Sequence, residues 1–263
     1  MKIISIISSA RKNGNTERIV RHIEEDFLQV SIEKGLKVEF ERIHLANSDI
    51  RVCRGCRICF DKGEDLCPLK DMLLNIRDKI GQADGVIFAS PVYVEDINGI
   101  MKNWIDRMAF NCHRPAFADK TAVIVVTSGV GSSNHALKTM KSALLTWGFN
   151  LSAQSKFRTG DFMEDDQIKS CYGNEIKVIA NKLFNAIHGG KAEYPSFYSL
   201  IVFKVQQKYW QKIKNTQNTF NYSYWENKGW IEKSCCYYIP HNSNSIKVIL
   251  ARIVGSILSI FFV

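Results

Sequence analysis

Four of the chain's eight cysteines fall within fifteen residues, Cys53, Cys56, Cys59 and Cys67, in the spacing C-x2-C-x2-C-x7-C. Thiolates ligate iron–sulfur clusters, and a C-x2-C-x2-C loop can wrap three corners of a cubane while a fourth cysteine closes it from farther along. Zinc also takes four thiolates, though commonly from two separate C-x2-C knuckles. A third reading is a reduced loop that holds no metal. The remaining cysteines, Cys112, Cys171, Cys235 and Cys236, show no ligand spacing.

Two further stretches point to an anionic, flat ligand. SSARKNGNTERIV, residues 8–20, is rich in Ser, Asn and Gly, and it runs into a helix starting at Thr16. Backbone N–H groups of such a turn, the positive end of the helix dipole and the guanidinium of Arg11 together suit a phosphate. No Gly-Lys-Ser/Thr follows and no G-x-G-x-x-G is present, so the stretch is neither a Walker loop nor a dinucleotide fingerprint. A mononucleotide phosphate is the expectation; an ordinary turn with a Thr cap is the competing reading. The second stretch is ASPVYVEDINGIMKNWIDR, residues 89–107. Val92, Tyr93 and Val94 can offer backbone amides where Pro91 cannot, and Tyr93 offers a ring for stacking or for packing. A third turn, TSGVGSS, residues 127–133, brings Ser128 and the close-approach glycines Gly129 and Gly131.

These stretches need a scaffold that delivers them to one place. Short apolar runs at residues 2–8, 85–92 and 121–128 read as strands buried on both faces, with a more alternating run at 38–45 and a fifth at 149–159. Between the first two, Ile19, Val20, Ile23, Phe27 and Val30 fall at helical spacing, with Gly35 as a stop. Further helices are predicted over 99–108, 134–147 and 166–187. The alternation predicts an α/β fold, a flavodoxin-like three-layer, doubly wound, five-stranded parallel sheet with a helical C-terminal extension. In such a sheet ligands bind beyond the carboxyl ends of the strands at the switch point, where all three turns converge. The expected division is a flavodoxin-like domain over 1–190 and an aromatic, basic extension over 191–263.

At these residues the chain resembles the NAD(P)H-dependent FMN reductases of the flavodoxin-like group. Their phosphate loop, Gly-Ser-Pro-Arg-x-x-Gly-Asn-Thr, is matched by Ser8, Ser9, Ala10, Arg11, Lys12, Asn13, Gly14, Asn15 and Thr16, with the Gly and Pro replaced. Their flavin loop is matched by Ser90, Pro91, Val92, Tyr93, Gly99, Asp106 and Arg107. The four-cysteine loop, followed by Lys70-Asp71-Met72, resembles that of the iron–sulfur flavoproteins within the same group. The resemblance implies FMN held by Ser9, Arg11, Asn13, Asn15, Thr16, Pro91, Val92, Tyr93, Val94, Asp96, Ser128, Gly129 and Gly131. It implies NAD(P)H as hydride donor, with a small-molecule or quinone electron acceptor. Alternatively it implies a 4Fe–4S cluster on Cys53, Cys56, Cys59 and Cys67 relaying single electrons between a ferredoxin-like donor and FMN. It also implies a homo-oligomer, dimer or tetramer, because flavin sites of the group are commonly shared between subunits. No catalytic side chain is expected, since the flavin carries the chemistry.

The net charge of +9 is scattered rather than massed into blocks, which speaks against nucleic acid. Its excess lies late, with nine Lys or Arg against three Glu from Lys191 onward. No secretory signal is evident, and a cytoplasmic location is expected. Residues 246–263 are eighteen in number, near the about 20 that span a bilayer. Arg252, Gly255, Ser256 and Ser259 share one helical face there, leaving a broad apolar remainder. That pattern suits an interface helix or peripheral contact with a membrane. A reading from another class is a non-enzymatic flavin- or metal-binding interaction protein.

Overall fold

The computed structural model describes residues 1–189, 195–213 and 219–262. In chain order the elements are β1 (Lys2–Ile7), α1 (Asn15–Glu33), β2 (Glu39–His44), α2 (Ile58–Asp61), α3 (Leu73–Gln82), β3 (Gly85–Tyr93), β4 (Asp96–Ile97), α4 (Gly99–Arg107), β5 (Thr121–Ser128), α5 (Asn134–Thr146), β6 (Asn150–Arg158) and α6 (Asp165–His188). The extension adds α7 (Phe197–Lys212), α8 (Thr219–Asn227) and α9 (Ser245–Phe262).

The sheet has the order β2-β1-β3-β5-β6, with every pairing along that path parallel and β4 added antiparallel to β3. This is the doubly wound flavodoxin-like order, whose switch point lies between β1 and β3. Each expected strand is present within two residues of its predicted bounds. The central strands are apolar because helices cover both faces. All eight residues of β5 are buried, and β1 and β3 are buried over most of their length. One core lies under α3, α4 and α5, with Phe88, Trp104, Trp147 and Phe149 at its centre; the other lies under α1 and α6, with Phe27, Phe157 and Phe184.

Two elements go beyond the sequence expectation. One is α3, which fills the crossover between β2 and β3. The other is the β3–β4 hairpin, in which Tyr93 pairs with Asp96 around Val94 and Glu95. Both turn residues have positive φ, 50° and 66°.

The expected boundary at 190/191 lies outside the described residues. Beyond it, Leu200, Phe203, Trp210, Tyr222, Trp225, Trp230, Tyr237 and Tyr238 form a third core, which also takes in Ala118. Several of its aromatics meet edge to face, as Trp225 with Trp230 at 5.3 Å and Phe203 with Tyr238 at 4.8 Å, while Phe203 stacks on Trp225 at 5.8 Å. The tryptophans are therefore packed inside the extension rather than presented outward. Among the described residues no helix is long and apolar enough to cross a membrane.

Candidate functional site

The turns after β1, β3, β5 and β6 meet in one open cleft at the carboxyl edge of the sheet. Ser9, Arg11, Asn15, Thr16, Pro91, Tyr93, Ser128 and Gly129 line it, as expected from the sequence, and so do Gly14, Thr127, Thr159, Gly160 and Asp161. The Thr159–Asp161 turn was not anticipated. The signal that could have found it is its place directly after the fifth strand on the same edge.

Within the first turn the side chains divide into those facing the cleft and those that hold it open. The Ser9 hydroxyl accepts from the Arg11 N–H at 3.3 Å, so the turn closes on itself and leaves the Arg11 side chain exposed at the cleft. Asn13 has φ 53°, a conformation asparagine tolerates, and its N–H donates to Glu17 at 2.7 Å. Asn15 serves as a stitch. Its Nδ2 donates to Thr159 Oγ1 at 2.9 Å, and its Oδ1 accepts from the Met163 N–H at 2.9 Å. The buried Thr16 hydroxyl shares a 2.7 Å hydrogen bond with Thr127. These two residues join the β1 turn to the β6 and β5 ends, which fixes the spacing of the backbone donors between them.

The other predicted residues sit around this cleft. Tyr93 is half exposed at its rim and Val94 is fully exposed at the hairpin tip. Asp96 is turned away toward Thr139, whose hydroxyl donates to it at 3.2 Å. Val92 packs against the core, and Gly131 lies in an adjoining hollow with Lys156 and Arg158.

The four cysteines are brought together on a second, smaller cavity of about 80 Å³. Cys53, Cys56, Cys59 and Cys67 all line it, with Phe60, Leu69, Leu73 and Phe110 as apolar walls, Arg54, Arg57 and Arg107 as cations and Glu64 and Asp106 as acids. The loop can curl around it because Gly55 and Arg57 both take left-handed conformations, φ 64° and 63°. Burial raises the Cys59 thiol pKa, and the neighbouring Cys67, Cys53 and Cys56 raise it further against the pull of Arg114. Among the described residues no group of three or more His, Cys, Asp or Glu side chains is arranged so as to hold a metal ion. The chemistry of the donor set, four soft thiols on a cavity with apolar walls, fits a thiolate-held centre.

Two arginines that the cysteine spacing gives no hint of hold this loop. Arg107, at the end of α4, pairs with Asp71 in a nearly fully buried ion pair at 2.6 Å and donates to Arg51 O at 2.7 Å. Burial pushes the Asp71 carboxyl up, but Arg107 and the N–H groups of Arg51 and Leu73 outweigh it and leave the pKa below its usual value. Arg114 donates to Cys59 O at 2.6 Å and to Glu64 at 2.7 Å, and it also reaches Asn221 of α8.

One short helix spans the distance between cleft and cavity. At the start of α4, Asn98 caps the helix by accepting from the Met101 N–H, while its Nδ2 donates to Ser8 O at 2.8 Å in the turn after β1. At its other end stands Arg107, and from its middle Asn103 accepts from the Cys53 N–H at 3.2 Å. Nine residues of helix measure about 13 Å.

Over 237 residues the chain is 29% identical to an iron–sulfur flavoprotein of Archaeoglobus fulgidus, covering 88% of this chain and 100% of that protein. It is 34% identical over 134 residues to an iron–sulfur flavoprotein of Methanosarcina thermophila, covering 51% of this chain and 65% of the relative. Among solved structures, RosB with a bound 8-demethyl-8-formylriboflavin-5′-phosphate intermediate superposes with a TM-score of 0.54 at 13% identity, over 93% of this chain and 92% of that one. An oxidoreductase of Corynebacterium diphtheriae superposes with a TM-score of 0.53 at 17% identity, over 72% and 98%. These two likenesses establish the fold. The family model described as NADPH-dependent FMN reductase matches residues 1–157, more than half of the chain. With the flavodoxin-like sheet and the crevice at its switch point, that match means that the chain belongs to the NADPH-dependent FMN reductase family.

Proposed function

We propose that this FMN oxidoreductase has two redox centres, FMN in the β1/β3/β5/β6 cleft and an iron–sulfur cluster on Cys53, Cys56, Cys59 and Cys67, between which electrons pass singly. The observation that carries the reading is the convergence of four thiols on one cavity at the far end of the helix whose N-cap touches the turn after β1. The likeness to the iron–sulfur flavoproteins supports it. FMN, when bound, supplies both two-electron and one-electron chemistry, so it can connect a hydride donor to a one-electron partner. The chain's own residues position and insulate. Arg11 and the amides of the first turn would take the phosphate, and Tyr93 and the Ser128–Gly129 backbone would flank the ring. Arg107 and Arg114, paired with Asp71 and Glu64, would hold the loop in place around the cluster.

A second reading is hydride transfer from NAD(P)H to FMN and on to a small-molecule or quinone acceptor without the cluster. The open cleft with Tyr93 at its rim favours it, because a second flat ligand can approach there.

Anaerobic purification followed by iron, sulfide, zinc and FMN analysis separates the two. The proposal expects FMN together with iron and sulfide in near-equal amounts, and a Cys59→Ala variant that keeps FMN while losing iron. Full FMN with no iron or sulfide after anaerobic reconstitution would leave the hydride reading alone. A protein that takes up no FMN would sink both.

A further inference from the structure

Helix α9 is mounted with its polar side inward. Arg252 donates to Cys235 O at 2.9 Å and to Lys233 O at 2.7 Å. Gly255 lies so close to α7 that an added Cβ would stand 2.7 Å from the Lys204 Cβ. The Ser256 and Ser259 hydroxyls donate to carbonyls of their own helix. The opposite face carries Ile246, Ile249, Ile253, Ile257, Ile260 and Phe261, each between 52% and 78% exposed. They fall at helical spacing and form one continuous stripe. A helix facing only water shows the reverse arrangement, and a patch of this kind marks a contact surface.

The net charge of the extension selects its occupant. Helix α9 holds Lys247 and Arg252 and no acid, and the described part of the extension has seven Lys or Arg against two Glu. Lys208 and Lys212 are exposed on α7, the helix against which α9 packs. A second copy docking through the same face would bring two net-basic extensions together. An anionic bilayer surface matches both features, taking isoleucines into the acyl boundary and lysines among the headgroups. Arg252 is held by carbonyls of its own chain, so the helix lies along such a surface rather than entering it end-on. We infer that the exposed face of α9 is a peripheral docking surface for anionic lipid membranes.

The test is sedimentation of the full-length protein with vesicles of phosphatidylcholine alone and of phosphatidylcholine mixed with phosphatidylglycerol. The protein is expected to sediment with the mixed vesicles, and less so as salt rises. The double variant Ile253→Asp, Ile257→Asp should weaken binding at least about tenfold while keeping its melting temperature, because both residues are exposed. Lys208→Glu, Lys212→Glu should weaken it with the apolar stripe intact. Equal binding to both vesicle types would overturn the anionic assignment. Absence of binding to either would overturn the proposal, as would a drop in molecular mass of the aspartate variant on analytical ultracentrifugation, since a second copy would then occupy the stripe.

Discussion

Arg107 joins Asp71 to Cys67. Its Nη1 donates to Asp71 Oδ2 at 2.6 Å, and its Nη2 donates to Asp71 Oδ1 at 3.1 Å while lying 4.0 Å from the Cys67 sulfur. One guanidinium thus ends α4, neutralises a buried carboxylate and faces a thiol of the four-cysteine loop. Arg107→Met strands that carboxylate and should cost about 3–5 kcal/mol of stability in urea unfolding. Adding Asp71→Asn should return part of the loss in a double-mutant cycle. A single-variant loss below about 1 kcal/mol would mean that the pair is not the buried bridge described.

Val94 sits fully exposed in a left-handed conformation that β-branched residues avoid, at about 1–2 kcal/mol. Val94→Gly removes that strain and loses no packing, against about 0.5–1 kcal/mol of added chain entropy. The variant should be more stable by up to about 1 kcal/mol, read as a small rise in melting temperature of the FMN-free protein. A fall would show that the Val94 side chain has a partner.

Gly63 connects the cysteine loop to the extension. It has φ 105°, and an added Cβ would lie 2.8 Å from the Phe220 ring. Gly63→Ala should therefore cost about 1–3 kcal/mol, combining backbone strain with a clash. Phe220→Leu in the same protein should recover the clash portion only. If the two substitutions prove additive in urea midpoints, the ring is not the obstacle.

Lys204, buried at the α7–α9 contact, has its pKa lowered to about 8 by burial first and by Arg252 and Lys208 next. The unfolded chain holds this proton up to the ordinary lysine value, so between about pH 8 and 10 it binds more protons than the folded chain. Stability from this group therefore rises with pH across that window, by at most about 1.4 kcal/mol per unit. Wild type should gain melting temperature relative to Lys204→Met between pH 8 and 10. Parallel curves would refute the lowered pKa.

The sheet was legible because its central strands are buried on both faces and must be apolar throughout, as β5 is. The hairpin after β3 was not, since Val94-Glu95 lacks the Asn-Gly or Asp-Gly that normally announces such a turn. Cysteine spacing disclosed a shared site, whereas Arg107 and Arg114 come from 40 or more residues beyond Cys67 and only the fold brings them there. For α9 the sequence showed two faces but not which would turn inward. Carbonyls at Lys233 and Cys235, together with the gap that Gly255 leaves for Lys204, decided it.

Every wall of the cleft at the carboxyl edge of the sheet comes from the first 161 residues, but the cysteine loop rests on something later. Asn221 donates to Phe60 O at 2.9 Å, Arg114 lies over the Phe220 ring at 4.9 Å, and Trp225 donates to His113 O at 2.7 Å. The extension is thus a bookend for the thiol loop. A chain cut before α7 would lose the contacts that back Cys59 and Phe60, so the appendage and the four-cysteine loop form one structural unit.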